Sequence, residues 1–280
     1  MSIVSIYVIH YNRVEFLTLQ YQQLLKHCLD DFKYIVINNG IDAETEGQIS
    51  EICRNSNILE IKLNQQNRKH SCSHDHIMAL DIVYKNYVAN NLSDFRVVMD
   101  SDIIPYSNFS FSNIIKNLDI AGFKVHNYSS AIFTMYSRLV DLHGFDVYNG
   151  GDSGSGTVNL VMKYNTRWIN LTAPIREEEA KYIFHYKDKD VMKYDQSFGF
   201  QFIENCLIHF YRGSGWDNTD VSYLNRKFDF LMQFLSHPEW YNITLDSNVQ
   251  YPEAFNDQWL HKENYKLYKV SGYELPHLSH

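Results

Sequence analysis

Four β-branched runs separated by amphipathic segments occupy the first hundred residues, and this alternation restricts the fold more than any single residue does. Ile3 to Ile9 is the first run. The segment from Val14 to Cys28 follows it, with Leu17, Tyr21, Leu24, Leu25 and Cys28 at helical spacing, which makes one face of a helix apolar. Tyr34-Ile35-Val36-Ile37 predicts a second strand, closed by the turn signal Asn38-Asn39-Gly40. A helix from about Ala43 to Cys53 and a strand from Ile58 to Leu63 come next. Ser73 is placed to cap the following helix, whose buried stripe is expected at Ile77, Leu80, Tyr84 and Val88. Phe95-Arg96-Val97-Val98-Met99 is the fourth run. A βαβαβαβ order of this kind predicts an α/β fold: a Rossmann-like, mostly parallel sheet with helices on both faces.

Beyond residue 102 the pattern changes. Asp119 to Val125 and Ala131 to Tyr136 read as strands with a short link, so the sheet is expected to be mixed. Asn149 to Gly156 reads as a loop and Phe198 to Phe210 as a late strand. Val221 to Leu235 predicts an amphipathic helix with Leu224, Phe228, Leu231 and Leu235 inward, and the tail after His237-Pro238 reads as irregular and aromatic. The expected division is 1–125, then 126–220 as a smaller subdomain, then 221–280 as a helix and tail packed on the same domain.

Composition excludes several classes. At 280 residues the chain can bury one large core or two abutting ones. A formal net charge of −8 and the lack of a basic patch argue against a nucleic-acid partner. No apolar stretch approaches the length of a membrane span. The opening Met1-Ser2-Ile3-Val4 lacks a basic region, so no secretory signal is expected. Cys28, Cys53, Cys72 and Cys206 have no framework spacing, which fits reduced thiols and a cytoplasmic setting. The sequons at Asn127 and Asn170 then carry no weight. The 21 tyrosines and 17 phenylalanines can stack on sugar rings, but most are expected to fill the core and half-buried surface.

The fourth strand ends in Asp100-Ser101-Asp102, followed by Ile103-Ile104-Pro105. Acidic pairs end many strands as solvated turns. At the carboxyl end of a strand in an open α/β sheet, however, ligands bind. Two hard oxygen donors there suit Mg²⁺ or Mn²⁺, which in turn grips a diphosphate.

Other segments are read beside their plainer alternatives. His10-Tyr11-Asn12-Arg13 after the first strand can hold a nucleotide base, or can simply cap the next helix through Asn12. Within Arg68 to His76, the residues His70, Cys72, His74 and His76 invite a zinc reading, but their spacing matches no common structural zinc pattern. A helix N-terminus facing a nucleotide or sugar, with Arg68 and His74 in reach, fits better. In the loop Asn149 to Gly156, Asp152 is either a general base or part of a surface turn. Ile208-His209-Phe210-Tyr211-Arg212-Gly213-Ser214-Gly215-Trp216 offers His209 as a nitrogen ligand to the ion. Arg212 and the Gly213 backbone suit a phosphate.

These residues resemble the nucleotide-sugar glycosyltransferases of the GT-A fold, in the style of their family-2-like members. Val4 to Arg13 is similar to their opening strand and base-binding loop, and Val97 to Asp102 to their D-x-D metal motif. Ser73-His74 with Ala79-Leu80-Asp81 resembles the helix start that precedes it, and His209 to Trp216 the late segment that closes over the diphosphate. The resemblance covers roughly residues 1–220, with the opening strand and D-x-D its more specific parts. Asn38-Asn39 stands where an acidic residue often meets the nucleoside, and no Glu-Asp pair marks the base. The compact Tyr- and Asn-rich chain also resembles glycosyltransferases encoded by large algal viruses, β-xylosyltransferases among them, which would place it in a host-cell cytoplasm.

The resemblance implies a metal-dependent transferase moving a sugar from a UDP-sugar such as UDP-xylose to a glycan or glycoconjugate hydroxyl, with inversion. Asp100, Asp102 and His209 would bind Mn²⁺ or Mg²⁺. His10, Tyr11, Asn12, Arg13, Asn38, Arg68, His74, Asp100, Ser101, Arg212, Gly213 and Trp216 would hold the donor. Asp152 would be the base. Residues 1–125 would form the donor half and 126–220 the acceptor side. Two alternatives stay open: a carbohydrate- or nucleotide-binding module without chemistry, and a nucleotidyl- or phosphotransferase, which the lack of a P-loop disfavours.

Overall fold

Val4, Ile6 and Val8 alternate along the first strand with Tyr7 and Ile9, and the two sets enter different clusters of buried side chains. Such a strand is apolar on both faces, so it belongs at the centre of a sheet covered on both sides. The computed structural model describes residues 2–63, 72–123, 133–147, 157, 160, 163–169, 182–186, 189–193, 200–204, 206–210, 221–238 and 241–245. In it β1 (Ile3–His10) pairs in parallel with β2 (Asp31–Asn38) on one side and β4 (Phe95–Asp100) on the other. β3 (Leu59–Lys62) extends the parallel set beyond β2.

Past β4 the direction reverses. After β5 (Ile103–Pro105), β6 (Ile120–Phe123) and β7 (Phe133–Ser137) pair antiparallel, β7 lies antiparallel to β4, and β8 (Thr166–Ile169) runs parallel to β6. The seven-stranded order is β3-β2-β1-β4-β7-β6-β8, the mixed sheet that the sequence pattern predicts. α1 (Val14–His27) and α2 (Ala43–Asn55) cover one face, sending Leu17, Leu24, Ile49 and Cys53 among Val4, Ile6 and Val8. α3 (Cys72–Val83) covers the other, with Ala79, Leu80 and Val83 against Tyr7 and Ile9. It continues as a wider π-helical turn over Tyr84–Val88. Each fully buried side chain of this kind contributes about 1.5–3 kcal/mol.

Two smaller three-stranded sheets complete the described strands. One joins β5 to the hairpin β11 (Gln201–Ile203) and β12 (Leu207–His209), and the other is formed by β9 (Tyr182–Tyr186), β10 (Lys189–Lys193) and β13 (Tyr241–Leu245). α4 (Phe111–Ile115) is a short helix capped by Ser110. A third cluster unites Phe16 and Leu19 of α1 with Ile104, Ile208 and Phe210 and with Leu224, Leu231, Phe234 and Leu235 of α5 (Val221–Ser236).

Four expectations need correction. Leu25 is 60% exposed, because α1 centres its buried face on Leu17, Gln20 and Leu24 and Leu25 lies about 100° past Leu24. Ser73 stands inside α3 and cannot cap it. The late strand is a hairpin: Glu204, with φ of 49°, turns the chain between β11 and β12. The tail contains β13, whose apolar and polar residues alternate from Tyr241 to Leu245 and which pairs with β9.

Candidate metal centre and its surroundings

Asp100 is the last residue of β4, and the chain turns through Ser101 and Asp102 into β5. β12 runs antiparallel to β5 with His209 opposite Ile103, and the Phe210 N–H donates to the Asp102 carbonyl at 2.9 Å. This pairing is what carries His209 to the acidic turn. Asp100, Asp102 and His209 each offer a ligand atom, and the three atoms lie within 4.8 Å of one another. Among the described residues no other group of three acidic, histidine or cysteine side chains converges in this way. His209 Nε2 is 3.2 Å from Asp102 Oδ1, with both side chains buried.

The donor set fits a hard divalent cation. Two carboxylate oxygens and an imidazole nitrogen suit Mn²⁺ or Mg²⁺ better than a soft ion. Burial and the adjacent charge of Asp102 push the Asp100 carboxyl well above the usual carboxylate range. Two carboxylates this close resist being ionised together unless positive charge joins them. His76, near the start of α3, brings its Nε2 to 3.8 Å from Asp100 Oδ1.

The neighbouring strand ends shape the rest of the site. His10 ends β1 opposite Asn38, and Ile9 stands opposite Asp100. His10 is buried, and desolvation lowers its pKa to about 3, so the ring is neutral. Its Nε2 lies 3.1 Å from the Tyr34 hydroxyl, which itself donates to Gln20 Oε1 at 2.5 Å. Tyr34 has one proton and gives it to Gln20, so His10 Nε2–H must donate to Tyr34. That leaves His10 Nδ1 as a bare acceptor, and it has no hydrogen-bond partner.

The loops after β1 and β2 are tied together, since the Asn39 N–H donates to His10 O at 3.0 Å and the Ile41 N–H to Tyr11 O at 2.9 Å. Tyr11 and Asn12 are half-buried in this loop. Arg13, not Asn12, precedes the first turn of α1 and makes no side-chain cap. Its guanidinium pairs with Glu15 and lies over the rings of Phe16 and Phe228. It is thereby drawn toward the third apolar cluster. Asn38 is buried, with Nδ2 donating to Glu46 O at 2.9 Å and Glu60 Oε1 at 2.6 Å and Oδ1 accepting the Gly40 N–H at 3.1 Å. Its amide shapes the turn that closes β2. Gly40 is needed there because a Cβ would sit 2.6 Å from the Glu46 backbone nitrogen.

Of the residues singled out from the sequence, Asp100, Ser101, Asp102, His209, His10, Tyr11, Asn12 and Asn38 therefore sit at adjacent strand ends. His74 lies in the first turns of α3. Arg68, Asp152, Arg212, Gly213 and Trp216 fall outside the described residues, as does His70. Gln20 was not legible as a site residue and His76 only as one of four candidate zinc ligands, yet each had a further signal. His76 extends the stripe Leu80, Tyr84 and Val88 by one turn at i−4, which aims it at the strand ends. Gln20 is a polar residue between Leu17 and Leu24 on the buried face of α1.

No protein-family model matches the sequence, and no curated protein is significantly similar to it. Among solved structures, the chain is similar to the mannosyltransferase PcManGT from Pyrobaculum calidifontis in complex with GDP-Man and Mn²⁺. Identity is 12% and the TM-score 0.42, over 59% of this chain and 54% of that one. It is also similar to S. aureus TarS, at 16% identity and a TM-score of 0.40 over 59% of this chain and 35% of that one. For TarS 1-349 the values are 15% and 0.38 over 58% and 56%. The chain thus spans between about a third and just over half the length of these structures. Among the described residues no helix is long and apolar enough to cross a membrane. The residues together make an α/β chain of Rossmann-like topology with a three-residue oxygen-and-nitrogen cluster at the carboxyl end of its central sheet.

Proposed function

We propose that this chain is a metal-dependent glycosyltransferase that moves a sugar from a nucleotide-sugar donor to a hydroxyl of a glycan or glycoconjugate. The observation that carries this reading is the convergence of Asp100, Asp102 and His209 beside the ends of β1 and β2. Ligands of open α/β sheets bind at that edge. A divalent cation held there supplies Lewis-acid stabilisation of the charge growing on the departing diphosphate.

The chain's own residues supply the rest. Asp102 and His209 are buried ligands, and Asp100 is shared between them and His76. Tyr11, Asn12 and Arg13 hold the nucleoside, with His10 buried beneath their loop. Asn38 fixes the turn beside them. Arg68, His74, Arg212, Gly213 and Trp216 complete the donor contacts, and Asp152 deprotonates the attacking hydroxyl so that configuration inverts. Residues 1–125 form the donor half and 126–220 the acceptor side. UDP-xylose is the donor of choice, by resemblance to enzymes of large algal viruses, and the setting is cytoplasmic.

The test is release of nucleoside diphosphate from a panel of UDP- and GDP-sugars with and without Mn²⁺, for the wild-type chain and an Asp100→Asn/Asp102→Asn variant. Metal-stimulated release that falls by about 100-fold or more in the variant supports the reading. Equal turnover in both proteins refutes it. Metal-dependent binding of nucleotide with no turnover would instead assign a binding module.

A further inference from the structure

We propose that Gln20 is a positioning residue: from the middle of α1 it clamps the turn that carries Asp100 and Asp102, and so sets their affinity for a divalent cation. The proposal rests on the metal-site reading above. Gln20 is completely buried, and its Nε2 donates to Asp100 O at 2.9 Å and to Ile103 O at 2.8 Å. Both amide protons therefore go to the two carbonyls that bracket Ser101 and Asp102. Oε1 accepts from Tyr34, which in turn accepts from His10.

The direction of every proton in this chain is fixed. Turning the Gln20 amide over would face Oε1 against two carbonyls, while the Tyr34 hydroxyl would lose its acceptor. Packing does not explain the residue, because Leu17 and Leu24 on the same face are fully buried among aliphatic side chains. An amide there costs desolvation that its own bonds offset. Those bonds hold backbone, and the backbone they hold spaces two carboxylates. A cation site tolerates displacements of only about half an ångström in its ligands, and partners that orient ligands typically change metal affinity by about 10–100-fold when removed.

The relay also joins two parts of the site. His10 at the end of β1, Tyr34 on β2, Gln20 on α1 and the acidic turn form one hydrogen-bonded line. The strand end beneath the proposed nucleoside loop is thereby connected to the turn proposed to hold the ion.

The experiment measures Mn²⁺ affinity by electron paramagnetic resonance of the unbound ion, on the full chain without nucleotide. Circular dichroism first establishes a temperature at which every variant is folded. Asp102→Asn serves as the reference and is expected to lose Mn²⁺ binding. Gln20→Leu is expected to weaken binding by about 10-fold or more. Tyr34→Phe, which leaves the turn bonded and removes only the bond that orients Gln20, is expected to weaken it less than Gln20→Leu does. A merely structural Gln20 would lower the melting temperature and leave the affinity of the folded protein alone. Gln20→Leu binding Mn²⁺ like wild type while Asp102→Asn does not overturns the clamp and spares the metal site. Asp102→Asn binding like wild type overturns both. Should Gln20→Leu not fold, Gln20→Met, which removes the same two bonds at similar side-chain length, takes its place, and an unchanged affinity in it overturns the proposal.

Discussion

Acidification from pH 7 to pH 5 should destabilise this protein through His10 by an amount that the structure sets. The ring is buried at the end of β1, desolvation outweighs the attraction of Asp102, and its pKa falls from 6.5 to about 3. The sign follows from proton counts. Below pH 6.5 the unfolded chain takes up a proton on His10 and the folded chain does not, so the unfolded state is favoured progressively as pH falls toward 3. Above pH 6.5 the residue contributes nothing. Between pH 7 and pH 5 the loss is about 2 kcal/mol, at about 1.36 kcal/mol per pH unit once the unfolded histidine is charged. Asp100 has the opposite sign, because its raised pKa favours the folded state on acidification. The measurement is therefore a difference between wild type and His10→Gln, whose Nε2 keeps the donation to Tyr34 and does not titrate. Urea denaturation with chelator present, followed by far-UV circular dichroism at pH 7, 6 and 5, gives both curves. Wild type should lose about 2 kcal/mol more than the variant. Parallel pH dependences would show that His10 titrates normally in the fold, and the neutral tautomer argued for it would be wrong.

Three further outcomes test the frame around the site. Asn38→Asp should cost about 3 kcal/mol or more in chemical denaturation, since it sets a second carboxylate 2.6 Å from Glu60 Oε1 in a buried place; a neutral result would mean that the contact between residues 38 and 60 does not form. Gly40→Ala should cost about 1–3 kcal/mol, because its Cβ would meet the Glu46 backbone at 2.6 Å and 2.8 Å with no flexible side chain to yield. Burial pushes the thiols of Cys28, Cys53 and Cys206 up to about 12, so native protein at pH 8 should resist iodoacetamide at these positions by intact mass and react fully in urea. Rapid native labelling of any of the three would contradict their packing.

The fold of the first hundred residues was legible because each of its strands carries its own signal. Val4, Ile6 and Val8 alternating with Tyr7 and Ile9 can only be a central strand, and the helices between the runs have one apolar face each. Asp100 and Asp102 were legible as a pair because a strand end is a local feature. The hairpin at Glu204 was not, although the adjacent polar residues Glu204 and Asn205 interrupt the run; a period count over Phe198 to Phe210 averages that polar break away. Gln20 escaped for a related reason, while His76 was read only as a candidate zinc ligand. Gln20 sits on a buried helical face, where a polar residue looks like a weak point in the stripe until the turn it meets is known. Arg13 has partners that the sequence did not show, in Glu15 and the rings of Phe16 and Phe228.

The step that makes a site out of the acidic turn is the register between β5 and β12. Ile208 and Phe210 lie in the cluster with α5, whereas Leu207 lies in the cluster beneath the central sheet, so His209 shares the face of Leu207. β5 is divided in the same way, with Ile103 in the sheet cluster and Ile104 in the α5 cluster. A slip of one residue would exchange those faces, burying His209 among Phe16, Phe234 and Leu231 and turning Ile208 toward Asp102. Burial of an imidazole among apolar side chains without a partner opposes that slip, as does removing Ile208 and Phe210 from their packing with α5. The aromatic packing of α5, far in sequence from the carboxylates, thus helps to hold a nitrogen 3.2 Å from Asp102. Hydrophobic sorting fixes the register, and the register delivers the third member of the cluster.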